Sequence, residues 1–104
     1  KLWLDDIREM PNEYDFWATT AADAIVLLKT GEVTDVSLDH DLGLPEEELG
    51  TGYQVACWIE EAAFKGEIPK LEWRVHSQNN VGVDKMTQAL RAADHFWEVK
   101  PWEK

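Results

Sequence analysis

The chain is short of three things: cysteine, long apolar runs and positive charge. Its single cysteine, Cys57, excludes an internal disulfide. Inside Val55-Ala56-Cys57-Trp58-Ile59 that thiol reads as buried and inert rather than nucleophilic, which fits a reducing compartment. No apolar run approaches the roughly 20 residues of a membrane-spanning helix, and no signal peptide is visible. Lys1 stands first in place of Met, so residues ahead of it are expected to be missing. A cytoplasmic location is the expectation. Only 10 basic residues face 21 acidic ones, for a net charge of −11. Such a field repels DNA, RNA and anionic lipid, so neither long nucleic acid nor a membrane is an expected partner. Any nucleotide ligand should be small, with its phosphate screened by a metal. The acid serves solubility in the plainest reading; it would also let the chain mimic nucleic acid and occupy a basic protein partner.

What is present is globular in composition, with 44% apolar and 30% charged residues. At 104 residues a single domain, 1–104, with one real core is expected. Short strands alternate with helical patterns, the signature of a parallel α/β sheet. Leu2 to Leu4 reads as a first strand. Ile7 to Asp15, broken by Pro11 and Asn12, is too short for a full crossover helix. Phe16 to Ala18 is a second strand. Thr20 then caps a helix, with Asp23 three residues on and an apolar face of Ala21, Ala24, Ile25 and Leu28 that ends at Gly31. Val36 to Leu38 is a third strand, followed by a loop from Gly43 to Gly52 that holds Pro45 and Glu46-Glu47-Glu48. A second helix carries Val55, Trp58, Ile59 and Ala62 at core spacing and stops at Gly66 and Pro69. Trp73 to His76 is a fourth strand. Gly82 opens a third helix with a Met86, Ala89, Leu90, Ala93 stripe, and Phe96 to Val99 reads as a fifth strand. The six tryptophans are scattered over strands and helices and are expected to pack in the core and its rim.

The chemistry gathers at strand ends. Asp5 and Asp6 close the first strand and Asp39 closes the third, within Ser37-Leu38-Asp39-His40-Asp41-Leu42-Gly43. Parallel sheets bring the carboxyl ends of their strands to one crevice, where ligands bind. Carboxylates crowded together repel unless a hard cation sits among them, and an oxygen-only set suits Mg²⁺ or Mn²⁺. Asp5, Asp6 and Asp39 are therefore candidate metal ligands. Asp41 is either a further one or the cap of a turn. His40 and His76 are of the type that titrates near neutrality and can move protons. Alternation along a strand sets His40 opposite Asp39 and His76 opposite Ser77. Arg8 is placed to reach a phosphate or to pair with acid.

Read in order, Asp5 and Asp6, Asp39, Ser77, and Lys100 before Pro101 resemble the receiver domain of bacterial response regulators. The run Ala93-Asp94-His95-Phe96-Trp97-Glu98-Val99-Lys100-Pro101-Trp102 resembles the stretch leading into the receiver lysine. The resemblance implies a receiver-like, flavodoxin-like three-layer sandwich with a five-stranded parallel sheet in the order 2-1-3-4-5. Against that pattern the first helix is reduced and the last is missing. It also implies metal on Asp5, Asp6 and Asp39, a phosphoryl oxygen on Ser77, and a phosphate partner in Lys100. Trp3-Leu4-Asp5-Asp6-Ile7-Arg8, Ser37 to Gly43, Thr51-Gly52-Tyr53 and His76-Ser77-Gln78-Asn79 are similar to a receiver-derived family, the cyclic-phosphate processing receiver-like domain of bacteria and phages. That similarity implies a phosphodiesterase acting on a small cyclic phosphate, a nucleotide or an RNA end. His40, His76, Asp39 and Lys100 would be catalytic, and Ser77, Arg8, Thr51 and Asn79 would hold the substrate. Two rival expectations stand beside it. One is a signalling receiver that takes phosphate on Asp39. The other is a catalytically silent acidic module that binds or inhibits a protein partner, from a phage for example.

Overall fold

The computed structural model describes residues 1–40 and 51–103. Four short strands, β1 (Leu2–Leu4), β2 (Phe16–Ala18), β3 (Asp35–Leu38) and β4 (Glu72–Val75), form one sheet in the order β2-β1-β3-β4. Every pairing is parallel, with Leu4 opposite Leu38 and Leu38 opposite Val75. Among the described residues three helices follow the pattern of caps: α1 (Ala21–Leu28), α2 (Gly52–Lys65) and α3 (Asn80–Val99). Thr20 caps α1 by accepting from the Asp23 N–H, and Thr51 caps α2 by accepting from the Gln54 N–H. Asn79 caps α3 through a 2.9 Å bond from the Gly82 N–H. Gly66 ends α2 in the left-handed conformation at φ 70°, which an L side chain resists.

Alternation along the strands divides the sheet into two faces. Leu2, Leu4, Val36 and Leu38 point to one, fully buried, and share a core cluster with residues of all three helices. From α1 come Ala24 and Leu28, from α2 Val55 and Ile59, and from α3 Met86, Leu90 and Trp97. Trp3, Trp17, Ser37 and Arg74 occupy the opposite face. The 5–15 connection, which holds no helix, covers part of it through an edge contact of Tyr14 on Trp3. The described residues thus make one helical layer on one sheet face, not the expected three-layer sandwich.

Two further expectations fail together. The sheet has four strands in the order 2-1-3-4, not five. Phe96 to Val99 continues α3, which runs 20 residues to Val99. No Gly or Pro interrupts the chain between Gly82 and Pro101, and Trp97 extends the Met86, Ala89, Leu90, Ala93 stripe by one more turn. Its indole donates to the Ile68 carbonyl. The described chain therefore closes on a long helix, so the expectation of a missing last helix is not borne out. Cys57 is half-buried rather than fully enclosed. Among the described residues no helix is long and apolar enough to cross a membrane.

Candidate functional site

The carboxyl ends of β1 and β3 deliver Asp5, Asp6 and Asp39 to one place, where a carboxylate oxygen from each lies within 4.8 Å of the others. The three are not equivalent. Asp5 is buried at 1% exposure, and its Oδ1 accepts the Ile7 and Arg8 N–H groups, both at 2.9 Å. Its Oδ2 lies 3.0 Å from His76 Nε2. Asp6 Oδ1 is buried with no hydrogen-bond partner among the described residues. A partnerless buried carboxylate oxygen costs free energy that a cation would recover. Asp39 accepts from the Ser77 hydroxyl and the His40 N–H. Its own burial and the charge of Asp5 push its carboxyl above the ordinary range, and the two hydrogen bonds and Arg8 only partly offset them. Donor chemistry, spacing and the orphaned oxygen all fit a hard divalent ion such as Mg²⁺ or Mn²⁺.

His76 leaves β4 beside Asp39 and faces the side of the sheet that no described helix covers. Its Nδ1 lies 2.6 Å from the Ser37 hydroxyl, and the ring stacks on Trp3 with centroids 3.9 Å apart and planes 6° from parallel. Burial lowers its pKa, the Asp5 hydrogen bond and charge raise it, Arg8 lowers it, and the net direction is down. The contact with Asp5 is therefore a hydrogen bond from a neutral ring rather than an ion pair. Arg8 reaches across to donate from Nη1 to the His76 carbonyl at 3.0 Å. Trp3 Nε1 in turn donates to the Arg8 carbonyl, and Trp17 Nε1 to that of Asp5.

His40 lies on the other side, as alternation requires. Its ring rests where a Cβ on Gly82 would strike it, so only glycine at that point of α3 allows the approach. Asn79 Nδ2 lies 3.5 Å from His40 Nδ1. Gly52 is constrained in the same way, because a Cβ there would meet the Asp39 carbonyl. His40, Thr51, Asn79, Gly82 and Lys85 help to line a cavity of about 190 Å³. A larger cavity of about 260 Å³, between Lys1, Tyr14, Asp35 and Arg74, lies at the opposite edge of the sheet and includes none of Asp5, Asp6 and Asp39.

Of the residues singled out from sequence, Asp5, Asp6, Asp39, Ser77, His76 and Arg8 are brought together, and the His40 ring lies on the wall of the adjoining cavity. Thr51 and Asn79 stand on the adjoining cavity wall, where each also caps a helix. Asp41 lies outside the described residues. Lys100 does not join them. It is no strand-end residue but the left-handed cap of α3, with φ 51° and its Nζ 3.8 Å from Glu103. Twenty helical residues separate it from Asn79, about 30 Å of axis. Beyond it Trp102 packs on Gly66, at the far end of α2. Sequence reasoning passed over Ser37 and Trp3. Period-two alternation offered the signal, since Trp3 and Asp5 share a face, as do Ser37 and Asp39.

A family model described as the cyclic-phosphate processing receiver domain matches residues 1–92. The match holds every gathered residue and ends before the Ala93 to Trp102 run that contains Lys100. No curated protein and no solved structure matches the chain.

Proposed function

Because the chain belongs to the cyclic-phosphate processing receiver domain family, we propose that it binds a small cyclic phosphate beside a divalent cation and opens the ring by hydrolysis. The ligand class is a cyclic nucleotide or a cyclic RNA end. One observation carries the reading: three carboxylates converge within 4.8 Å, and one of them holds a buried oxygen with no partner among the described residues. Asp5, Asp6 and Asp39 would hold Mg²⁺ or Mn²⁺, which supplies positive charge for the phosphoryl oxygens. His40, on the wall of the neighbouring cavity, is assigned the proton transfer that ring opening needs. Arg8, whose charge reaches Asp39, adds positive potential on the β1 side. Ser77 steadies Asp39, and Thr51 and Asn79 frame the ligand. Lys100 is left out of the machinery.

The test is turnover of 2′,3′- and 3′,5′-cyclic nucleotides with Mg²⁺ or Mn²⁺ by wild type, Asp39→Asn and His40→Ala. Hydrolysis that both substitutions suppress is expected; equal rates in all three would discard the reading. The Ser77 hydroxyl on Asp39 favours a second one, a phosphoacceptor aspartate. A stable phosphoryl adduct on Asp39 after incubation with a small phosphodonor, seen by intact mass, would replace hydrolysis with signalling. Undetectable cation binding together with tight capture of a basic protein would favour the silent acidic module.

A further inference from the structure

Both nitrogens of His76 are engaged inside the protein. Asp5 Oδ1 already receives two backbone N–H groups, and Oδ2 faces His76 Nε2 at 3.0 Å. An ionised carboxylate offers only lone pairs, so Nε2 must carry the proton. In the Nε2–H tautomer Nδ1 keeps a lone pair, to which the Ser37 hydroxyl, 2.6 Å away, donates. Ser37 and Asp5 are 2% and 1% exposed, so water does not compete for either end. The Trp3 indole, itself tied to the Arg8 carbonyl and flanked by Tyr14, lies flat against the ring and fixes its plane.

We infer that Ser37, His76 and Trp3 form a positioning relay for Asp5, holding its carboxylate in the orientation at which it meets Asp6 and Asp39. His76 is then a positioning residue and exchanges no proton with substrate, and Ser37 joins the site as the group that sets its tautomer. This rests on the cation reading of the acidic cluster. Carboxylates that bind metals are themselves held by hydrogen bonds, and losing such outer partners weakens metal binding.

The experiment combines two measurements on the metal-free chain and on its Ser37→Ala, His76→Ala and His76→Gln variants, each first checked for a folded circular-dichroism spectrum. ¹⁵N spectra of the histidine rings read the tautomer of His76, and titration with Mn²⁺ alone reads the cluster. The relay predicts the Nε2–H tautomer in wild type and its partial loss in Ser37→Ala. It also predicts Mn²⁺ affinity about 10- to 100-fold weaker in Ser37→Ala and His76→Ala. His76→Gln, whose amide keeps both a donor and an acceptor, should retain most of the affinity. Mn²⁺ binding that is strong in wild type and unchanged in Ser37→Ala and His76→Ala would overturn the relay alone. So would an Nδ1–H tautomer, or a Gln variant as weak as the Ala one. No Mn²⁺ binding by wild type would overturn the cation reading and the relay with it.

Discussion

The two sides of the sheet's carboxyl edge solve opposite problems. On the side of the sheet that no described helix covers, His76 is held between Asp5 and Ser37 and stacked on Trp3. On the helix side, His40, Thr51 and Asn79 surround a cavity of about 190 Å³. One side is closed by its own contacts; the other is open. A preorganised anchor beside an open wall is what a metal-assisted site requires.

The contrast breaks most easily at Asp5. Asp5→Ala removes the acceptor of two backbone N–H groups and of His76, so a stability loss of about 3 kcal/mol is expected in urea unfolding. Thr51→Ala on the open side removes only a helix cap and should cost about 1 kcal/mol in the same measurement. An equal cost at both would show that neither side is specially built.

The histidines sharpen the same point kinetically. If His40 moves the proton, His40→Ala should lower turnover of a cyclic nucleotide by about 10²- to 10⁴-fold. Its Mn²⁺ affinity should stay within about 2-fold of wild type, because His40 is outside the ligand cluster. His76→Ala should reverse that split, with cation affinity falling first.

The smallest effect expected is on pH dependence, followed by chemical unfolding in chelator. Asp39 has a raised pKa, so its contribution to stability is full below the ordinary value of 3.8 and is lost as pH rises through the folded value. Asp39→Asn should therefore be more stable than wild type at pH 7 without metal. His76 has a lowered pKa. Its contribution is full above the ordinary value of 6.5 and is lost as pH falls through the folded value. His76→Gln should flatten the decline below pH 6.5. A wild type that is more stable than Asp39→Asn at pH 7 would show that a partner outside these contacts stabilises the ionised acid.

Much of this was legible in the chain because local chemistry and fold agree. Thr20 and Gly66 mark helix ends by hydrogen bonding and backbone freedom, and alternating short strands imply parallel pairing. The acids stood out because strand ends in such a sheet converge. Lys100 misled for an equally local reason. Phe96-Trp97-Glu98-Val99 has strand-forming residues before Lys100-Pro101, yet Trp97 lies four residues beyond Ala93 on a buried helical stripe. Burial on the core outweighed the local propensity of four residues. The relay stayed hidden because Ser37 and His76 lie 39 residues apart, and only strand register brings Ser37 and Arg74 opposite each other with His76 two residues on.

The buried oxygen of Asp6, without a partner among the described residues, gives the most direct test of the acidic cluster as a cation site. Calorimetric titration of wild type and Asp6→Ala with Mn²⁺ should find one ion per chain in wild type and binding at least about 100-fold weaker in the variant. Equal binding by the two chains, or none by wild type, would contradict it.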